Sequence, residues 1–172
     1  MENRKIRVGI THGDINGVGY EVILKTFSDP TMLELCTPVV YGSPKVAAYH
    51  RKAMEIQTSF SIVNSAEEVQ DGRVNVVNCI EEELKVELTK PTPEAGKAAL
   101  AALERALADY REGLFDVLVT APINKHTIQS DAFHFPGHTE YIEERVGEGQ
   151  KALMILLKGD FRVALVTGHV RA

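Results

Sequence analysis

The stretch TPEAGKAALAALERALADYREGLFDVLVTAP, Thr92 to Pro122, sets a long amphipathic helix directly before a strand. Thr92 is placed to cap the helix, Pro93 suits its first position and Gly113 its stop, so the helix is predicted over Pro93–Glu112. Ala99, Leu103, Leu107 and Tyr110 recur every three or four residues and predict its buried face. The continuous apolar run of FDVLVTAP then predicts a central parallel strand. Helix and buried-type strand in succession are the alternation of an α/β protein.

The same alternation extends outward. Ile6–Thr11 reads as a strand, followed by a glycine-rich bend and a helix from about Val18 to Phe27. Val39–Tyr41 is a short strand stopped by Gly42-Ser43-Pro44. Lys45–Met54 reads as a helix with Val46, Tyr49 and Ala53 on one face. Phe60–Val63 and Val74–Val77 are further strands. Downstream, ALMILLKGDFRVALVTGH (152–169) holds two β-prone runs around Lys158-Gly159-Asp160, the pattern of an antiparallel hairpin. The fold class predicted is α/β, with a mostly parallel, mixed sheet and flanking helices.

At 172 residues the chain suits one domain, able to bury roughly 70% of its unfolded surface. Net charge is −5 with no basic block, which removes the electrostatic footprint of nucleic-acid binding. MENRKIRVGI has no apolar signal core and no window approaches a membrane span, so a soluble cytoplasmic protein is expected. Cys36 and Cys79 lack a C-x-x-C spacing and read as reduced, buried thiols.

In α/β sheets the chemistry gathers beyond the carboxyl ends of the strands. Three predicted strand ends carry polar groups: THGDINGVGYE (11–21), TAPINKH (120–126) and TGHVRA (167–172). The first loop offers N–H groups to an anion. It is no dinucleotide fingerprint, because position 22 is Val22, and no P-loop, because Tyr20 follows Gly19. A tight turn with positive-φ glycines is the favoured reading. Lys125 and His126 follow Pro122 as a helix opens; each reads as a surface group, although Lys125 could pair with a phosphate. In FPGHTEYI (135–142) Thr139 is placed to cap a helix, with Glu140 and Glu143 in its first turn. That leaves His138 as a polar loop residue or a substrate contact. His134 and His138 are separated by Pro136-Gly137, so no helix sets them on one face as a metal pair. His169 ends an apolar strand, as a hydrogen-bonded core residue or as a ligand.

THGDINGVGYE, TAPINKHTI, FPGHTEYI and RVALVTGH together resemble successive motifs of the 4-hydroxythreonine-4-phosphate dehydrogenase family (PdxA) of vitamin B6 biosynthesis. The resemblance runs from residue 7 to residue 169 in the family's order. It implies a fold similar to isocitrate and isopropylmalate dehydrogenases, with two α/β lobes flanking a cleft and a homodimer completing the site. It also implies oxidation of a 4-phosphorylated hydroxy amino acid by NAD, with loss of CO2. A divalent metal (Zn, Mg or Co) held by three histidines supports that chemistry in the family. On this reading His138 and Thr139 contact substrate, His169 is the first metal ligand, and Asp14 and Lys125 line the cleft. The catalytic and NAD-binding residues stay unassigned.

This chain departs from the family where Ile15 and Tyr20 replace prolines of the first loop, and where Val170, Arg171 and Ala172 follow His169. Family members are longer, so residues 1–172 are expected to be the N-terminal portion of a two-lobed enzyme, inactive by itself. Two other readings remain open: a dehydrogenase of threonate or erythronate 4-phosphate, and a phosphate acetyltransferase-like or non-catalytic fragment.

Overall fold

The computed structural model describes residues 5–166. By internal packing the chain divides into two compact units, one ending at His134 and one starting at Phe135. Composition alone suggested one.

The first unit is built on five parallel strands: β1 (Ile6–Thr11), β2 (Cys36–Gly42), β3 (Phe60–Val63), β4 (Val74–Asn78) and β5 (Val117–Thr120), in the order β3-β4-β2-β1-β5. Helices α1 (Gly19–Thr26), α2 (Pro30–Leu35), α3 (Pro44–Ala53) and α4 (Pro93–Arg111) connect them. Alternation along the strands sorts the core into two faces. Ile10, Val40, Val74 and Val76 pack with Ile23 of α1 and Phe27 just after it, and with Val46 and Ala47 of α3. Val39, Tyr41 and Val77 pack on the other face with Ala102 and Ala106 of α4 and with Phe115. The chain thus steps from β1 out to β3, then returns across the opposite face through α4 to place β5 beside β1.

The predicted helix boundaries hold at α4: the Thr92 hydroxyl accepts from Ala95 N at 3.3 Å, Pro93 occupies the first turn, and Gly113 has φ +70°. Its buried face differs in one place. Tyr110 is 41% exposed, and Asp109 is buried instead, accepting from Tyr41 Oη at 2.9 Å and from Arg105 Nε at 3.0 Å. A carboxylate is tolerated there because both partners reach it. β5 departs further from expectation. It is the edge of the described sheet rather than its centre, and Val117 and Val119 are each 47% exposed. An apolar run marks two faces that need cover, but not a second neighbour in the ladder. Helix α2 escaped the sequence reading, although Asp29 caps it through Thr31 N and Pro30 opens it.

The second unit holds α5 (His138–Val146) and an antiparallel pair, β6 (Ile155–Lys158) and β7 (Phe161–Ala164), turned at Gly159 with φ +56°. The hairpin is its own two-stranded sheet. The last turn of α5 is tied to the segment that follows: Glu143 accepts from Ala152 N at 2.8 Å and from Lys151 Nζ at 2.7 Å. No described helix is long and apolar enough to cross a membrane.

Candidate functional site

β1 and β5 are paired in parallel, Thr11 opposite Thr120, so the two loops that follow them emerge side by side. Asp14 N donates to Pro122 O at 2.9 Å and locks them together. Gly13 makes this possible. It sits at φ +71°, and a Cβ there would lie 2.3 Å from the Pro122 carbonyl oxygen, so both conformation and closeness exclude a side chain. The tight-turn reading of the glycine loop therefore applies at Gly13. Gly19 is closed to a side chain as well, since a Cβ there would meet His12 O at 2.1 Å.

Asp14 is half-buried, and its loop is an Asx turn: Oδ1 accepts from Asn16 N at 2.9 Å, while the carbonyl accepts from Gly17 N at 3.1 Å. Asn16, which the sequence reading passed over, is the hub behind it. Its side chain donates to Lys90 O and Thr92 Oγ1 and accepts from Glu87 N, and its carbonyl accepts from Thr89 N. The segment before α4 is thereby fastened to the loop that carries Asp14. The spacing Asp-x-Asn was the available signal; its long-range partners were not.

After β5 no helix opens at Asn124, contrary to expectation. Residues 125–128 form turns, in which Asn124 Oδ1 accepts from His126 N and Thr127 N and the Asn124 carbonyl accepts from Ile128 N. The Asn124 side chain takes the next free N–H groups, and the single i to i+4 bond from Ile128 N closes one turn that does not propagate into a helix. Lys125 and His126 are exposed on this turn, so Lys125 offers a solvated cation beside the Asp14 loop.

His12 belongs elsewhere. It is 0% exposed, and its Nε2 donates to Ala98 O of α4 at 3.2 Å. Burial lowers its imidazole to about 4, against the raising effect of bonds to the Ala98 and Gly13 backbone. It is a neutral core residue. Cys79, partly buried after β4, has its thiol pushed up to about 12 by burial, and Cys36 is likewise only partly buried and raised by burial. Neither is a nucleophile at neutral pH. A hollow of about 400 Å³ lies between residues 79–84 and α4, lined by Glu81, Glu82, Glu94 and Lys97; neither Asp14 nor Lys125 reaches it.

In the second unit His138 is the first residue of α5 and half-buried, and Thr139 follows, exposed. The expected Thr139 cap is absent. Gly137 is the N-cap residue with no side-chain cap bond, because the helix begins at His138, two residues earlier than a Thr139 cap would need. Thr139 instead lines a shallow hollow with Ile142, Glu143 and Val146. Phe135 packs edge-on against the buried Tyr141 ring, and Arg145 lies over that ring, 5.1 Å from its centroid. His169 lies outside the described residues. Among the described residues no group of three His, Cys, Asp or Glu side chains could hold a metal ion.

A family model described as pyridoxal phosphate biosynthetic protein PdxA matches residues 34–172. The chain is 75% identical over 170 residues to a 4-hydroxythreonine-4-phosphate dehydrogenase of Bacteroides thetaiotaomicron, covering 99% of this chain and 47% of that protein. It is 31% identical to a putative D-threonate 4-phosphate dehydrogenase of Oceanobacillus iheyensis, covering 98% and 51%. A crystal structure of a 4-hydroxythreonine-4-phosphate dehydrogenase from Burkholderia phymatum superposes with TM-score 0.84 at 27% identity, covering 98% of this chain and 52% of that one. The chain spans about half the length of these relatives. It belongs to the PdxA family.

Proposed function

We propose that this chain supplies substrate-facing residues of a dehydrogenase that oxidises 4-phosphooxy-L-threonine with NAD in pyridoxal 5'-phosphate biosynthesis. The observation that carries the reading is the 75% identity to a 4-hydroxythreonine-4-phosphate dehydrogenase over nearly the whole chain. The joined loops after β1 and β5 add a place for chemistry, with Asp14 and Lys125 on neighbouring strand ends. In this reading Lys125 lends positive charge to the phosphorylated end of the substrate, and an exposed ammonium suits a point-charge contact. Asp14, with Oδ1 engaged by Asn16, accepts hydrogen bonds from substrate hydroxyl or ammonium groups through Oδ2. His138 and Thr139 contact substrate from the start of α5, where N–H groups and the helix dipole favour an anion.

NAD is the hydride acceptor in this proposal, and the described glycine loop is not its binding site. His169 would be a metal ligand. One imidazole falls short of the three protein ligands such sites take, and the described residues contain no such set. The working enzyme is proposed to be a cytoplasmic homodimer.

The 31% relative favours a second reading, oxidation of D-threonate 4-phosphate. Both substrates share a 4-phosphate and a neighbouring hydroxyl, and differ at the carbon that bears an amine or a hydroxyl. A test joins residues 1–172 to the second half of the Bacteroides thetaiotaomicron relative and follows NADH formation with each substrate. Higher kcat/KM for the amino acid supports the first reading; preference for the threonate supports the second.

A further inference from the structure

Beneath the Asp14 loop three aromatic rings are stacked in the core. His12 and Tyr20 lie 5.2 Å apart with planes 7° from parallel, and Tyr20 and His50 lie 5.4 Å apart at 26°. None is more than 1% exposed. They come from three places: just past the end of β1, the first turn of α1 and the last turn of α3. Each ring also makes a directed bond to backbone. Tyr20 Oη donates to Ser43 O at 3.1 Å and accepts from Ser43 N at 2.8 Å, so it occupies both backbone groups of one residue. His50 Nε2 lies 2.7 Å from Ile15 O. A carbonyl can only accept, so His50 is the Nε2–H tautomer. The same logic makes His12 the Nε2–H tautomer through Ala98 O.

These bonds bracket Asp14. His12 fixes the residue two before it, and His50 fixes the carbonyl of the residue after it. Ile15 is itself 0% exposed. We propose that His50 and Tyr20 are positioning residues for Asp14: His50 Nε2–H holds the loop through Ile15 O, and Tyr20 holds His50 in register between the rings and the Ser43 backbone. The functional weight of this rests on the reading that Asp14 lines the substrate cleft. Tyr20 stands in the first turn of α1, where its N–H needs no helical partner, so the backbone itself does not require a tyrosine there. What the side chain adds is the middle ring of the stack. A loop held at Asp14 N by Pro122 O and at Ile15 O by His50 presents the Asp14 carboxylate in one place before substrate arrives, which lowers the ordering needed on binding.

The test is amide hydrogen exchange on residues 1–172. Asn16 N and Gly17 N both bond to Asp14 and report on the loop, whereas Ile10 and Val40 report on the sheet. In His50→Phe, which keeps a ring but loses the donor, Asn16 and Gly17 should exchange about tenfold faster, the loss of one buried hydrogen bond, with Ile10 and Val40 unchanged. In His50→Gln, which keeps an N–H donor, both rates should return towards wild type. Wild-type rates at Asn16 and Gly17 in His50→Phe would overturn the proposal, and so would equal acceleration at Ile10 and Val40. Should His50→Phe not fold, long-range ¹⁵N correlation on the wild-type imidazoles decides. An Nε2–H tautomer at His50 upholds the bond to Ile15 O, and an Nδ1–H tautomer overturns it. A loosened loop with unchanged kcat and KM in the joined two-half enzyme would uphold the positioning of the loop and count against Asp14 in the cleft.

Discussion

His12 sits within two residues of Asp14, yet its ring is turned into the core and its proton is set by burial. The unfolded chain holds this imidazole near 6.5 and the folded chain at about 4. Between those values the unfolded state binds more protons, so its contribution to stability is complete above about pH 6.5 and is lost as pH falls towards about 4. His12→Gln should flatten the dependence of Tm on pH across that window, whatever it does to Tm itself. Equal slopes for the two proteins would show that His12 does not titrate in this way. Lys125 is the opposite case, exposed on a turn. Lys125→Ala should leave stability within about 0.5 kcal/mol and raise KM for the phosphorylated substrate in the joined enzyme by about tenfold, the loss of one charged hydrogen bond. An unchanged KM would remove Lys125 from the site. His12 and His126 both stand just past a predicted strand end. Strand-end position did not separate buried His12 from exposed His126, because which way a ring turns is decided by partners on other elements, here Ala98 of α4 and Tyr20 of α1.

Helix α4 was the most legible element, since cap, first-turn proline, spacing and stop all lie within its own sequence. Its glycine was not. Gly96 closes the first turn, and a Cβ there would fall 1.9 Å from Thr127 O, so the helix passes against the turn after β5. Helix propensity favours alanine over glycine by about 1 kcal/mol. The clash with backbone should win, and Gly96→Ala is expected to destabilise by about 1–3 kcal/mol in urea titration. A gain in stability would mean that helix and turn separate at little cost. Thr92→Ala should cost about 1 kcal/mol or somewhat more, because Thr92 Oγ1 both caps α4 and receives Asn16. Thr139→Ala in α5 should cost less than about 0.5 kcal/mol, as the helix is capped at Gly137. A loss near 1 kcal/mol would restore the hydroxyl as a cap. The contrast shows where local reading failed. Thr92 and Thr139 are both cap-type residues ahead of a helical run, but Pro93 fixes the start of α4, and no proline follows Thr139 to fix that of α5. β5 was misjudged for a related reason: an apolar run reports burial of faces, while position in the sheet depends on strand order.

Across the molecule, the parallel sheet brings motifs separated by more than a hundred residues to one edge, and that alignment was legible only as a rule about strand ends. The pairing of β1 with β5 turned it into the Asp14–Pro122 contact. The family was legible from the order of four motifs and is carried now by the matched family model and the 75% identical relative. The stack of His12, Tyr20 and His50 was not, because it draws on three elements at once. Residues 1–172 alone are proposed not to turn over, so the decisive assay needs both halves. It measures kcat/KM for NAD reduction with 4-phosphooxy-L-threonine, using the chain joined to the second half of the Bacteroides thetaiotaomicron relative, beside the same protein carrying His138→Ala. The expected result is turnover that falls at least about a hundredfold in the variant, the range of a substrate contact that acts in the transition state, with Tm preserved. Equal kcat/KM in the two proteins, or turnover with D-threonate 4-phosphate and none with 4-phosphooxy-L-threonine, would contradict it.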